Sequence, residues 1–161
     1  LIQEGVDCVI RTGELNNSSL VARPLGHFRW VTCASPDYLR EYGVPPSPEA
    51  LSQHRAVHYF SGQARRADEF RFVRHGETFS VPVSGNAAVN ETGLYIKMCL
   101  AGFGLAQLAE NIVADHLQEG RLVEVLTDWQ PPPVPVTLLY PHQRFLSPAV
   151  RAFAEWMSEV V

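Results

Sequence analysis

The chain has 161 residues, 46% of them hydrophobic, with a net charge of −4 and a sequence pI near 5.8. That is apolar enough for one sizeable core or two small ones. It disfavours nucleic-acid binding through this segment, because neutralising phosphates needs a clustered positive face and the densest basic stretch, "ARRADEFRFVRH", is interrupted by acids. No apolar run approaches the ~20 residues of a membrane-spanning helix.

The opening, "LIQEGVDCVIRTG", has no initiator methionine and reads as the tail of a helix that Gly5 turns into a strand over residues 6–11. It suggests a fragment whose own N-terminal part is missing. The polar stretch "TGELNNSS" follows as a loop, with glycine and asparagine where turns want them. Two extended segments come next, "LVARPL" and the longer "HFRWVTCAS". Ser35 and Pro36 start a short helix, "PDYLREY", as cap and first-turn residue, and Gly43 closes it. "SPEALSQ" repeats the device with Ser47 and Pro48. The period then changes to two: "HRAVHYF", "EFRFVRH", "ETFSVPVS" and "NAAV" read as strands, with His75-Gly76 as the hairpin turn between the second and third.

In "NETGLYIKMCLAGFGLAQLAE" the order along the chain decides what Gly102 and Gly104 do. A phosphate-cradling loop puts its glycines after a strand and before a helix. Here Leu94, Ile96, Cys99 and Leu100 mark a helix first, so the glycines read as its C-cap and a turn into a short buried strand. No nucleotide cofactor is expected. "ENIVADHLQE" is an amphipathic helix stopped by Gly120, "RLVEVL" a strand, "TDWQPPP" a stiff connector and "VPVTLLY" a buried strand. The last helix starts at Ser147-Pro148, with Val150, Phe153, Ala154, Met157 and Val161 on one stripe. Parallel-type strands with intervening helices indicate an α/β fold.

Cys8, Cys33 and Cys99 are an odd count outside any metal-type C-x-x-C, and each sits in an apolar segment, which favours buried reduced thiols and a reducing compartment. His54 and His58 lie four apart in a strand-like run, about 13 Å end to end, too far for shared metal ligation. No G-x-S-x-G elbow is present, and no metal or catalytic group is expected.

Three motifs together resemble the effector-binding domain of LysR-type transcriptional regulators. They are "LIQEGVDCVIRTGELNNSSLVARPLG", "ASPDYLREYGVPPSPEALSQH" and "AGFGLAQLAENIVADHLQEGRLVEVL", in the family's order and spacing over essentially the whole chain. The resemblance implies a type 2 periplasmic-binding-protein-like fold, with two α/β lobes joined by two crossing strands near residues 29–34 and 121–126 and a small ligand held in the cleft. Lobe one would combine residues 1–35 and 121–161 and be incomplete; lobe two would be residues 36–120. The family's DNA-contacting winged helix-turn-helix would precede Leu1, absent from this chain. Two departures stand out: Ala109 occupies the usual proline position, predicting a less rigid strand exit, and Gln107 a usually apolar one. Gln107 must face the cleft or find a backbone partner.

Ligands in open α/β sheets bind beyond the carboxyl ends of strands. Three such ends are Arg11-Thr12-Gly13, Ser61-Gly62, and Asn90, which also reads as N-cap of a helix from Glu91 and Thr92. Arg11, Thr12, Ser61, Gly62, Asn90, Glu91, Thr92 and Gln107 are therefore the candidate ligand residues. Unpaired N–H groups after Asn90 favour a carboxylate or polar acceptor, whereas Glu91 opposes an anion and leaves a neutral or cationic group open. Arg11 serves either a ligand or an ion pair with Glu14 or Asp7; Asn90 is a contact or a plain cap. Tyr59, Phe60, Phe70 and Phe72 line a pocket or fill the core. The leading expectation is a cytoplasmic ligand-sensing regulatory domain, reaching DNA only through the missing part and forming a homodimer, with higher oligomers in the intact protein. A transporter-associated solute-binding protein and a small dehydratase using Glu91 are the alternatives.

Overall fold

A computed structural model describes residues 7–13, 20–60, 69–141 and 147–160. The chain divides into two compact units, residues 1–28 with 133–161 and residues 29–132. The chain thus leaves its first unit and later returns to it. The grouping differs from the expected division: residues 29–35 and 121–132 fall in the second unit, because their strands share one sheet there.

The first unit is a three-stranded antiparallel sheet of β1 (Val9–Thr12), β10 (Val134–Pro141) and β2 (Leu20–Phe28), with β10 central. β2 was expected to break near Gly26, but it runs on to Phe28. The register explains why: Val136 faces Gly26 while Thr137 faces Pro24, so Leu25 is an extra residue on β2. That bulge absorbs the proline, which has no N–H to give the ladder, and turns Leu25 into the core beside Val136, Leu138 and Ala154. Ala154 and its stripe partners Phe153 and Met157 come from α4 (Pro148–Val160), whose Ser147 hydroxyl accepts from Val150 N at 3.2 Å. Val161 lies outside the described residues.

The second unit begins with β3 (Trp30–Ala34), flanked antiparallel by β8 (Ala106–Ala109) and β9 (Val123–Val125). α1 (Pro36–Tyr42) starts as expected, Ser35 Oγ accepting from Tyr38 N, and stops at Gly43 with φ +80°. A 3-10 turn at Pro48–Gln53 leads to β4 (Arg55–Tyr59), which pairs in parallel with β7 (Ser84–Val89). β5 (Glu69–Arg74) and β6 (Glu77–Pro82) form a hairpin whose turn residues, His75 at φ +53° and Gly76 at +82°, both adopt the left-handed conformation a tight turn needs. α2 (Thr92–Leu100) and α3 (Glu110–Gln118) complete the unit. Among the described residues, strand pairing is mostly antiparallel, so the parallel-type pattern read from the sequence holds for β4 and β7 and for one bridge between Ala56 and Leu105.

Period-two alternation divides these strands between two cores. Val31, Cys33, Val57, Ala106 and Leu108 join Tyr95, Cys99 and Val113 on one face. Ala34, Ala56 and Leu105 join Tyr38, Leu51, Phe70 and Phe72 on the other. Each fully buried large side chain contributes about 1.5–3 kcal/mol. Phe70 and Phe72 are thus core residues. Cys33 and Cys99 are buried free thiols, Cys8 a half-buried one; a hydrogen bond with Cys99, then burial, holds the Cys33 thiol far above its ordinary pKa, so it stays protonated and unreactive.

The same ladder explains Ala109. Glu110 N donates to Arg29 O at 2.9 Å, so in the antiparallel pair of β3 and β8 that position is hydrogen-bonded, and the next one, Trp30 opposite Ala109, is not. Ala109 therefore points its N–H away from β3, at φ −65°, the angle proline fixes. Ala109→Pro should stabilise the domain by about 0.5–1 kcal/mol through the unfolded chain. A lowered midpoint in urea denaturation would show that the N–H has a partner after all.

Candidate functional site

Arg11 and Thr12 end β1, both exposed, opposite Thr137 and Val136, and Gly13 N extends the ladder to Pro135 O at 2.9 Å. Among the described residues Arg11 makes no ion pair, so Asp7 does not hold it; Glu14 lies outside them. Ser61 and Gly62 also lie outside the described residues.

The end of β7 is the better-built candidate. β4 and β7 run side by side to Tyr59 and Val89, and Phe60 N donates to Val89 O at 2.9 Å just beyond. The Tyr59 hydroxyl then donates to Asn90 O at 3.3 Å, and the Tyr59 ring lies 5.5 Å from that of Tyr95 in α2. Asn90 is exposed, and its side-chain amide makes no hydrogen bond to a described residue.

One expectation is corrected here. Asn90 is not the helix cap; Glu91 is. Its carboxylate accepts from Gly93 N at 2.7 Å and Leu94 N at 2.6 Å, and helix α2 starts at Thr92. Gly93 eases this cap: a Cβ there would stand 3.1 Å from Glu91 Oε1 and ask the carboxylate to give by a few tenths of an ångström. Those two N–H donors, with a smaller contribution from Lys97, hold the Glu91 carboxyl below its ordinary pKa. It therefore remains charged at neutral pH. Two of the first-turn N–H groups that were to receive an anion, those of Gly93 and Leu94, are thus taken, and a negative charge stands over them. What is left beside Asn90 suits a neutral or cationic ligand group.

Gln107 finds the backbone partner that its position demanded. Its Oε1 accepts from Arg71 N at 3.1 Å, and its Nε2 donates to Arg71 O at 3.0 Å and to Thr32 Oγ1 at 3.2 Å. The side chain thus mimics a peptide group and ties hairpin strand β5 to β8. Its own backbone is served by Tyr95, whose hydroxyl accepts from Gln107 N at 3.0 Å and donates to Gln107 O at 3.4 Å. β8 is an edge strand, and this hydroxyl occupies its outer edge. Sequence reasoning named Tyr59 as a pocket or core aromatic but missed Tyr95, for which the available signal was a tyrosine one turn into the helix.

A second tyrosine repeats the device. Tyr38 OH accepts from Arg55 N at 2.8 Å, donates to Arg55 O at 3.2 Å and lies 3.1 Å from His54 Nδ1. Burial lowers the His54 pKa, which keeps that ring neutral at physiological pH. Among the described residues there is no cluster of three or more side chains able to hold a metal, and no helix long and apolar enough to cross a membrane.

Comparison with known proteins adds the following. A family model described as the LysR substrate binding domain matches residues 1–161. The HTH-type transcriptional regulator YhjC of Escherichia coli is 36% identical over 161 residues, covering 100% of this chain and 54% of that relative. An HTH-type transcriptional repressor of Pseudomonas aeruginosa is 37% identical over 160 residues, covering 99% of this chain and 50% of the repressor. The chain spans about half the length of the curated relatives it matches. Among solved structures, the regulatory domain of CrgA from Neisseria meningitidis, a LysR-type transcriptional regulator, superposes with a TM-score of 0.82 at 26% identity, covering 99% of this chain and 78% of that one. The full-length Vibrio cholerae virulence activator AphB gives a TM-score of 0.76 at 27% identity, covering 99% and 54%.

Proposed function

This chain belongs to the LysR substrate binding domain family, and we propose that it is the effector-sensing part of a bacterial DNA-binding transcriptional regulator. The observation that carries the proposal is the match of the family model over all 161 residues, supported by relatives that are themselves transcriptional regulators. It favours the regulatory reading over a transporter-associated solute-binding protein. The chain is a binding module and not a catalyst, and it works in the cytoplasm, where its DNA target is. DNA is bound by a separate segment of the intact regulator, which assembles as a homodimer or higher oligomer.

The effector is a small molecule that meets Asn90, Glu91 and Thr92, all in the second unit. Glu91 capping its own helix favours an effector with a neutral polar or cationic group at that end. Gln107 acts by holding β5 in place. A ligand can shift the regulator's state only by its differential affinity for the two states, so one hydrogen bond to Asn90, worth about 1 kcal/mol, sets a scale of five- to ten-fold.

The test uses the intact protein containing this chain. DNA footprinting should give a sequence-specific protected site whose extent or affinity changes when an effector from a metabolite panel is added. Asn90→Ala should leave the protection itself intact and raise the effector concentration needed about five- to ten-fold. An intact protein with no sequence-specific DNA binding would overturn the proposal, and an unaltered effector response in Asn90→Ala would remove that residue from the site.

A further inference from the structure

Elsewhere in the second unit is a cavity of about 360 Å³ lined by Tyr42, Arg55, Ala87, Ala101, Gly102 and Phe103. Small residues make half of this lining and leave room. The other half is two aromatic rings and one charge. Phe103 is 58% exposed and Tyr42 37%. The Arg55 guanidinium carbon stands 5.6 Å from the Tyr42 ring centroid, and no acidic side chain among the described residues pairs with it.

The support beneath these groups is rigid. The Arg55 backbone is fixed on both sides, by the Tyr38 hydroxyl and by Leu105 N, which donates to Arg55 O at 2.8 Å. The buried Tyr38 ring stacks on Tyr42 at 4.8 Å. A charge and a ring held this way lose little freedom on meeting a ligand. The C-terminal end of α2 borders the same cavity and by its dipole would oppose an anion. Its closing carbonyls, those of Lys97, Met98 and Cys99, are occupied by the N–H groups of Ala101, Phe103 and Gly102, which leaves Arg55 as the full charge in the lining.

We propose that this cavity binds a small aromatic carboxylic acid, its carboxylate on the Arg55 guanidinium and its ring against Tyr42 and Phe103. A guanidinium matches a carboxylate in planarity and donor spacing, and the volume suits one small ring. The site is distinct from the one beside Asn90. Arg55 begins β4 and Asn90 follows the end of β7, its parallel neighbour, so the two stand at opposite ends of one pair of strands.

The experiment titrates benzoate into the 161-residue chain, reading backbone amide signals by NMR. Saturable shifts are expected at Ala87, Gly102 and Phe103. Arg55→Gln, an exposed substitution, should weaken binding at least ten-fold, and Phe103→Ser, also exposed, should do the same by removing a ring. Benzyl alcohol, with the ring but no charge, should bind at least ten-fold more weakly than benzoate, while Asn90→Ala should leave benzoate binding unchanged. Absence of saturable shifts at those three amides, or unweakened benzoate binding in either Arg55→Gln or Phe103→Ser, would overturn the proposal. Loss of binding in Asn90→Ala alone would put benzoate in the other site, overturning this assignment and leaving the regulatory function standing.

Discussion

Gly85→Ala is expected to destabilise the domain by at least about 3 kcal/mol, lowering its thermal midpoint by on the order of 10 °C. An added Cβ would stand 2.0 Å from Ala56 O and 2.7 Å from His58 Nε2. The first contact is with backbone and cannot be relieved by a rotamer. The register shows why the chains come so close. Arg55 faces Ser84 and Val57 faces Ala87, so β7 has one residue more than β4 over this span, and the bulge presses Gly85 onto Ala56. Gly104 approaches β4 as well: its Cβ would meet Arg55 O at 2.6 Å, at φ +155°, and Gly104→Ala should cost a similar amount. Gly120→Ala is the control, because it has open space around it and only an unfavourable φ of +69°, for a cost of about 1 kcal/mol. Thermal or urea denaturation compares the three. Equal losses at all of them would mean that close approach is not what selects glycine at positions 85 and 104.

Tyr95→Phe should cost about 1–3 kcal/mol, since the hydroxyl serves both the N–H and the carbonyl of Gln107 at a strand edge and the side chain is only 4% exposed. Gln107→Leu strips partners from Arg71 N, Arg71 O and the buried Thr32 hydroxyl. Water repays part of the loss at Arg71, so the global cost should be smaller than the local one. Hydrogen exchange separates the two effects: the Arg71 amide should exchange at least about ten-fold faster in Gln107→Leu, while amides of β3 slow or quicken only with overall stability. Unchanged protection at Arg71 would mean that the Gln107 amide is not what clips the hairpin to the sheet.

Much of the fold was legible because its punctuation is local. Ser35-Pro36, His75-Gly76 and Gly120 each carry their own conformational restriction, and each stands where an element starts, turns or stops. Partners were harder, since nothing local says which strand β3 will meet, and pairing turned out mostly antiparallel. The first extended segment looked complete at Leu25, and a bulge at that residue lets the ladder continue to Phe28. At the candidate site the difficulty was of another kind. Asn90 and Glu91 are both residues that can cap a helix, and only the bonds of the Glu91 carboxylate to Gly93 N and Leu94 N tell them apart. Gln107 could be flagged as an amide needing a partner, but the partner lies 36 positions away in the sequence.

A helix that carries its own counter-ion is also a filter. Sulfate, phosphate and the carboxylates of common metabolites all seek free amide hydrogens, and at α2 they would first have to evict a tethered competitor whose effective concentration no dilute solute matches. This end of the molecule should stay indifferent to salt composition, leaving whatever it does respond to unconfused by the anionic background of a cell.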